Sequence, residues 1–202
     1  MNNRILGLGA LAAMSTLAVA AESVQAAGIT FDLRGSNQTS SSIGYSSAEG
    51  LNLTVTAFDD AAPASVARRG GMGAGAGLGV SSGPGSRPGQ IDGSDSTEAL
   101  RFTFDDVVRI LSATFVRVQN NDEFTLIADG QEVVSQGDPD NGVPFGLNTV
   151  GTVFDFTVGE SNDDYRLQAV EVEVVPEPLT LLGTAAAAGV GIVLKRKRSA
   201  TA

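Results

Sequence analysis

The chain has 202 residues and a formal net charge of −10, and it contains neither Cys nor His. Without these residue types the sequence excludes disulfide frameworks, Cys or His metal sites, and Ser-His-Asp or Cys-His catalysis. Residues 27–175 hold 8 Arg, 21 Asp or Glu and no Lys, a net charge of −13, which argues against nucleic acid as a partner because phosphate binding needs clustered positive charge.

The N-terminal segment, residues 1–26, has the features of a secretory signal peptide. Arg4 supplies a positive charge, and the uncharged run 5–21 is rich in Leu and Ala. Val24 and Ala26 place small side chains at the two positions that signal peptidase accepts, which predicts cleavage after Ala26. The alternative is a retained N-terminal membrane helix, but no stop-transfer pattern follows the run. We therefore expect export across the inner membrane.

The body of the protein, residues 27–174, shows the two-residue periodicity of β-strands. Leu100, Phe102 and Phe104 alternate with polar residues, and Val170 and Val172 alternate with Glu. Strands are expected at 51–55, 100–104, 110–118, 124–128, 152–158 and 165–174. No part of the body has convincing helical spacing. The pattern predicts an all-β fold, an antiparallel two-sheet sandwich of the jelly-roll kind, with a barrel as the alternative.

Turn signals separate the expected strands. Asp129 and Gly130 predict a tight hairpin turn, and residues 137–142 predict a longer one. The stretch 61–89 is rich in Gly, Ala, Ser and Pro, so it has few side chains that can form a core, and we expect a mobile loop. Its segment 71–76 formally fits a dinucleotide-binding fingerprint, but no βαβ unit surrounds it, which favours plain low complexity.

Two groups of acidic residues are candidates for a metal site. Asp92, Asp95 and Glu98 precede an expected strand, and closely spaced oxygen ligands are what Ca²⁺ prefers. Asp138 and Asp140 belong to a second group with Asn141. The alternative is that these side chains cap turns, and neither group has EF-hand spacing. We expect no cofactor other than this candidate Ca²⁺.

The C-terminal segment, residues 175–202, combines three features in a fixed order. Pro176, Glu177 and Pro178 come first, and the two prolines prevent helix and sheet pairing there. An uncharged run, 179–194, follows and predicts a short transmembrane helix. Four cations then hold the end of the chain on the cytoplasmic side of the membrane. These cations are Lys195, Arg196, Lys197 and Arg198.

This arrangement resembles the PEP-CTERM sorting domain of Gram-negative and cyanobacterial proteins over residues 175–198. The resemblance implies that a membrane-embedded exosortase recognises the Pro-Glu-Pro motif, cuts near it and releases the body. The alternative is a plain C-terminal anchor. Residues 77–80, 91–93 and 98–104 also look like a recurring arrangement in the ectodomains of this family, which are thought to be jelly-roll-like.

We expect a non-enzymatic protein of the cell surface or exopolysaccharide matrix, with signal peptidase and exosortase as processing partners. Its β domain would bind or organise polymer, although the chain has no Trp and only Tyr45 and Tyr165 as tyrosines for stacking on sugars. One alternative is a membrane-retained, tail-anchored binding protein with a Ca²⁺-stabilised domain. Another is a glycosidase, because chemistry with two carboxylates needs neither His nor Cys.

Overall fold

A computed structural model describes residues 28–70, 75–82, 89–94 and 96–176. Within these ranges the chain forms twelve β-strands and no helix, and every strand pair is antiparallel, which confirms the predicted all-β fold. The strands are β1 (Ile29–Asp32), β2 (Gln38–Ser40), β3 (Ser42–Ser46), β4 (Asn52–Asp59), β5 (Ala62–Arg69), β6 (Gly77–Ser81), β7 (Ile91–Asp92), β8 (Glu98–Val116), β9 (Phe124–Ala128), β10 (Gln131–Gly137), β11 (Pro144–Val158) and β12 (Asp164–Val174).

The described residues include no helix with the length and apolar character needed to cross a membrane. The predicted signal helix and the predicted transmembrane helix 179–194 both lie outside the described residues.

Five strands close into a barrel. Going around the ring, β4 pairs with β5, β5 with β6, β6 with β12, β12 with β8, and β8 again with β4. The long strand β8 closes the ring because its two halves have different neighbours. Its first half pairs with β4, as in Phe102 opposite Val55, and its second half pairs with β12, as in Ala113 opposite Val170. Closure removes the free edges that an open sheet would expose.

A sheet extends outward from the barrel along β8. Strand β11 follows almost the whole of β8, and the hairpin of β9 and β10 continues the sheet beyond β11. Asp129 and Gly130 have φ of 46° and 80°, as a tight hairpin with two left-handed residues requires. The predicted Asp-Gly hairpin is therefore confirmed.

Four short strands complete the architecture and bring the ends of the domain together. Strand β2 pairs with β5, β3 with β4, and β7 with β12. Strand β1 lies along β12, with Ile29 opposite Val172. The first and last strands of the described chain are therefore neighbours.

The core lies inside the barrel and beneath the outer sheet. Phe102, Phe115, Phe154 and Phe156 are fully buried, and Phe102 meets Phe156 edge to face at 5.2 Å between ring centroids. Tyr165 is also fully buried, and its hydroxyl donates a hydrogen bond to the Thr157 carbonyl at 2.8 Å. A buried Tyr needs such a partner for its polar tip.

The predicted strand faces agree with this core. Val170 and Val172 are fully buried, whereas the intervening Glu171 is only partly buried. The two predicted strands at 100–104 and 110–118, however, merge into the single strand β8, which ends at Val116, two residues before the predicted end.

The prediction of a mobile loop over 61–89 is wrong for most of its described residues. Residues 62–69 form β5 and residues 77–81 form β6, and both strands belong to the closed ring. The reason is that the small side chains allow close packing of neighbouring backbone. A Cβ added at Gly79 would stand 2.3 Å from the backbone of Gly89. The absence of a large side chain at this position therefore reflects the close approach of two backbone segments, and it does not indicate a lack of structure.

The prediction of a longer hairpin turn at 137–142 is also wrong. This segment connects β10 to β11, but β9 lies between those two strands in the sheet. The segment is therefore a crossover between strands that are not neighbours. A turn-rich composition marks a change of direction without specifying which strands become neighbours.

Candidate functional site

The Pro-Glu-Pro motif begins where the barrel ends. Strand β12 stops at Val174, and the Val175 N–H donates a hydrogen bond to the Val107 carbonyl at 2.9 Å. Pro176 is exposed. The other residues predicted for sorting and processing lie outside the described residues, namely Ala26, Glu177, Pro178, Lys195, Arg196, Lys197 and Arg198.

Two of the three residues predicted to bind Ca²⁺ lie together in the structure. Asp92 and Glu98 are buried, and one Glu98 carboxylate oxygen accepts a hydrogen bond from the Asp92 N–H at 3.0 Å. The other accepts a hydrogen bond from the Ser82 hydroxyl. Asp95 lies outside the described residues, among which no group of three carboxylates is close enough to hold a metal ion. Calcium binding stays a prediction.

The surroundings of Glu98 disfavour its ionised form. Burial raises the pKa of Glu98 to about 7, and the nearby carboxylates of Asp92 and Asp59 add to the increase. The hydrogen bonds from Ser82 and Asp92 act in the opposite direction. Glu98 is therefore a buried carboxyl that joins three parts of the chain and titrates close to neutral pH.

Sequence analysis missed a second group of buried acids. Asp122 and Asp163 have no solvent exposure, and Asp164 is 5% exposed. Asp122 accepts a hydrogen bond from the Asp164 N–H at 3.2 Å, and Asp163 accepts one from the Glu160 N–H. These contacts are typical of side chains that cap turns. The runs of Asn and Asp at 120–122 and 162–164 signalled the turns in the sequence, although not their burial.

Asp138 and Asp140 of the second predicted acidic group are exposed. Asn141 has a capping role, because its side-chain oxygen accepts a hydrogen bond from the Val118 N–H at 3.3 Å. The structure therefore supports turn capping for Asn141.

A groove lies on the outer face of the sheet formed by β4, β8, β11 and β9. Even-numbered residues at the start of β8 point into the core, so Ala99 and Arg101 point outward and line the groove. We call this depression, which has a volume of 560 Å³, the outer groove. Its lining consists of Phe58, Asp60, Ala61, Thr97, Ala99, Arg101, Ile127, Asp155 and Thr157.

Arg101 organises the outer groove through two contacts. Its guanidinium donates two hydrogen bonds to the Asp155 carboxylate, at 2.7 and 2.8 Å, across the β8–β11 pair. The same guanidinium carbon stands 4.7 Å from the centroid of the Phe58 ring, a cation–π contact. The hydrogen bond to Asp155 raises the pKa of Arg101. These side chains are thus held in place by one another.

The chemistry of the outer groove suits binding of a mainly uncharged chain. Ala99 and Ile127 supply apolar surface, while Arg101 and Thr97 supply polar groups at fixed positions on or beside strands. Rigid strands with a few placed polar groups are typical of ligand sites. Alternation in the sequence placed Arg101 on the outer face of its strand, but the cross-strand register that brings it to Asp155 was not readable.

Comparisons of the chain with protein-family models, with curated proteins and with solved structures found no match.

Proposed function

We propose that this chain is an exported protein of the cell surface or exopolysaccharide matrix, released from a C-terminal sorting tail by an exosortase, and that its β domain binds polymer through the outer groove. The sequence of residues 175–198, in which the Pro-Glu-Pro motif, the uncharged run and the basic cluster follow one another, supports the sorting role. We also propose that the closed ring is flattened into two facing sheets, as in a jelly-roll-like sandwich. The two halves of β8, which pair with β4 and β12, support this description.

The observation that carries the proposal is the position of the domain boundaries. Strand β1 begins at Ile29, three residues after Ala26, and β12 ends at Val174, two residues before Pro176. The buried hydrophobic residues of the described chain lie between Ile29 and Val172. These strand ends support a boundary between the β domain and each predicted address segment.

The adjacency of the two ends also supports the proposal. Ile29 is paired with Val172, so the segments before β1 and after β12 leave the domain from the same edge. Two membrane segments that leave from one edge can enter a single bilayer while the folded domain stays on one side of it.

Replacing Pro176, Glu177 and Pro178 by alanines tests the sorting role in cells that contain an exosortase. We expect a longer, membrane-bound form to accumulate, because the recognition element is lost while the hydrophobic run remains. Mass spectrometry of the C-terminus and membrane fractionation measure this change. Alanines at Ser199 and Thr201, beyond the basic cluster, are the control and should leave release unchanged. Release of the triple variant at the normal rate, or a mature protein that keeps Lys195, would contradict the proposal.

The binding role is tested on a glycan array with the full chain in detergent. Ala99→Arg would fill the outer groove from β8, and we expect it to abolish binding to neutral polysaccharide. Thr103→Arg is the control, because Thr103 is exposed on the same face of β8 but does not line the outer groove. An array on which the unchanged protein binds neither neutral nor acidic glycans would remove the polymer-binding part of the proposal. Equal binding by both variants would exclude the outer groove as the site.

A further inference from the structure

Three arginines, on or directly after three different strands, gather around two glycines. The Arg166 guanidinium, from β12, donates hydrogen bonds to the carbonyls of Gly75 at 2.7 Å and Gly89 at 2.5 Å. Gly89 also packs against the side chain of Arg69, at the end of β5. Gly75 packs against Arg117, whose Nε lies 3.2 Å from the position that a Cβ of Gly75 would occupy. The arginines therefore share one small region of an otherwise acidic domain.

The arginines in this region repel one another. Burial lowers the pKa of Arg166, and the positive charges of Arg117 and Arg69 lower it further, while Asp164 acts in the opposite direction. Most of the charge on the body is negative, with 21 acidic residues against 8 Arg in residues 27–175. In a domain of negative net charge this group of arginines is a local concentration of positive charge. A bound anion would stabilise it by offsetting the repulsion among the guanidinium groups.

A pocket opens beside Arg117. We call it the Arg117 pocket; it has a volume of 500 Å³ and is lined by Gly75, Arg117, Val118, Gln119 and Asn141. Arg117 is exposed and follows directly after β8, with a φ of 66°. A left-handed conformation is strained at a residue other than Gly, and such conformations are concentrated at functional sites.

The polar groups of the Arg117 pocket are mainly hydrogen-bond donors. Arg117 brings a guanidinium, whose planar fork matches the two oxygens of a carboxylate. The Asn141 side-chain oxygen accepts a hydrogen bond from the Val118 N–H, a bond that does not use the N–H donors of the same amide. The Gln119 amide donates to Asp164 at 3.3 Å.

We propose that the Arg117 pocket binds the carboxylate of a small molecule or sugar unit that carries no other charge. The volume of the pocket lies within the range of small-molecule sites. The net charge of −13 on residues 27–175 repels ligands with several negative charges, so a single carboxylate fits better than a phosphate or a polyanion. This inference is independent of the sorting tail and of the outer groove.

Titration of the full chain in detergent with D-glucuronate, followed by NMR or calorimetry, tests the inference. We expect saturable binding with shifts of the Gly75 and Asn141 amide signals. Arg117→Gln should weaken binding about tenfold or more, which corresponds to a lost charged hydrogen bond of about 1.4 kcal/mol, and Arg117→Lys should keep part of it. Arg109→Gln is the matched control, because Arg109 lies within β8, pairs with Glu173 and does not line the Arg117 pocket.

The same titration distinguishes the other outcomes. No saturable binding of glucuronate, or an equal loss in the Arg117→Gln and Arg109→Gln proteins, would overturn the inference. Tighter binding of inorganic phosphate would show a general anion site in place of a carboxylate site, and equal binding of glucose would show that the charge is not recognised. Arg117 is exposed, so the Arg117→Gln protein should melt like the unchanged one. Ala99→Arg should leave glucuronate binding intact, which separates this site from the outer groove.

Discussion

Glu98 shows how one buried carboxyl can make the stability of the whole domain depend on pH. Its pKa in the folded protein is about 7, above the usual 4.5 of the unfolded chain. Below pH 4.5 the group is protonated in both states. As the pH rises from 4.5 to about 7, the unfolded state releases this proton while the folded state retains it, so the contribution of Glu98 to stability is progressively lost up to the folded-state pKa.

We therefore expect the unchanged protein to lose about 1–2 kcal/mol of unfolding free energy through Glu98 between pH 4.5 and pH 8, after allowance for solvent screening. Glu98→Gln should remove this part of the pH dependence, because a Gln side chain stays neutral. Denaturant unfolding of the full chain in detergent at several pH values measures the difference. Glu132→Gln, at an exposed position on β10, is the control. A Glu98→Gln protein with an unchanged pH profile would refute the assignment.

Phe102 is the residue at which the predicted core is tested most directly. Its side chain is fully buried, and it lies opposite Phe154 in the pairing of β8 with β11. We expect Phe102→Ala to lower the free energy of unfolding by roughly 3–5 kcal/mol, because it leaves a cavity among the aromatic rings. Phe58→Ala, at a partly exposed position in the outer groove, should cost less. Equal melting temperatures for the Phe102→Ala and unchanged proteins would contradict this placement.

At the scale of elements, β6 depends on the close approach that Gly79 allows. A Cβ at Gly79 would meet the backbone of Gly89, which has no flexible side chain to move aside. Gly79→Ala should therefore lower the free energy of unfolding by about 1–3 kcal/mol, as overpacking usually does. Gly44→Ala in β3 is the control, because a Cβ there meets no atom within 4 Å. Thermal melts of the two proteins give the comparison, and equal stabilities would show that β6 does not need the glycine.

The small residues of this region also explain why two strands of the ring could not be predicted from the sequence. Alternation of large apolar residues identified the outer and inner faces of β8 and β12, because Phe102 and Val170 carry a strong signal. The signal was weak in β5, where only Val66 and Ala67 are buried, and in β6, where the two large buried residues, Leu78 and Val80, alternate with glycines. Their composition is also that of a loop.

The register between strands was the second feature of the fold that the sequence did not predict. Arg101 and Asp155 are 54 positions apart in the sequence, yet they form the ion pair of the outer groove. Arg69, Arg117 and Arg166 lie on or directly beside three different strands and likewise meet only through topology. A local pattern gives the face on which a side chain lies, whereas the partner across the sheet is fixed by closure of the ring.

At the scale of the whole molecule, β12 is the strand on which closure depends. It pairs with β8 on one side and with β1, β6 and β7 on the other. A chain that stops after Gln168 loses the pairing of residues 169–174 and the buried side chains of Val170 and Val172. We expect this chain to lose its cooperative unfolding transition.

A chain that stops after Pro176 is the matched comparison and should unfold like the full chain. Circular dichroism melts and resistance to proteolysis measure both proteins. If the chain ending at Pro176 failed to fold, residues after 176 would have to contribute to the core. That result would contradict the domain boundary drawn at the end of β12.

The pairing of Ile29 with Val172 has a consequence for engineering. A short flexible linker could join the native ends of the domain, and new ends could be opened in the tight turn at Asp129 and Gly130. Such a circular permutant would keep every strand pair of the ring and interrupt only the β9–β10 hairpin. A domain with neighbouring ends and an exposed tight turn is well suited to this rearrangement, so its sequence order can be changed while its fold is retained.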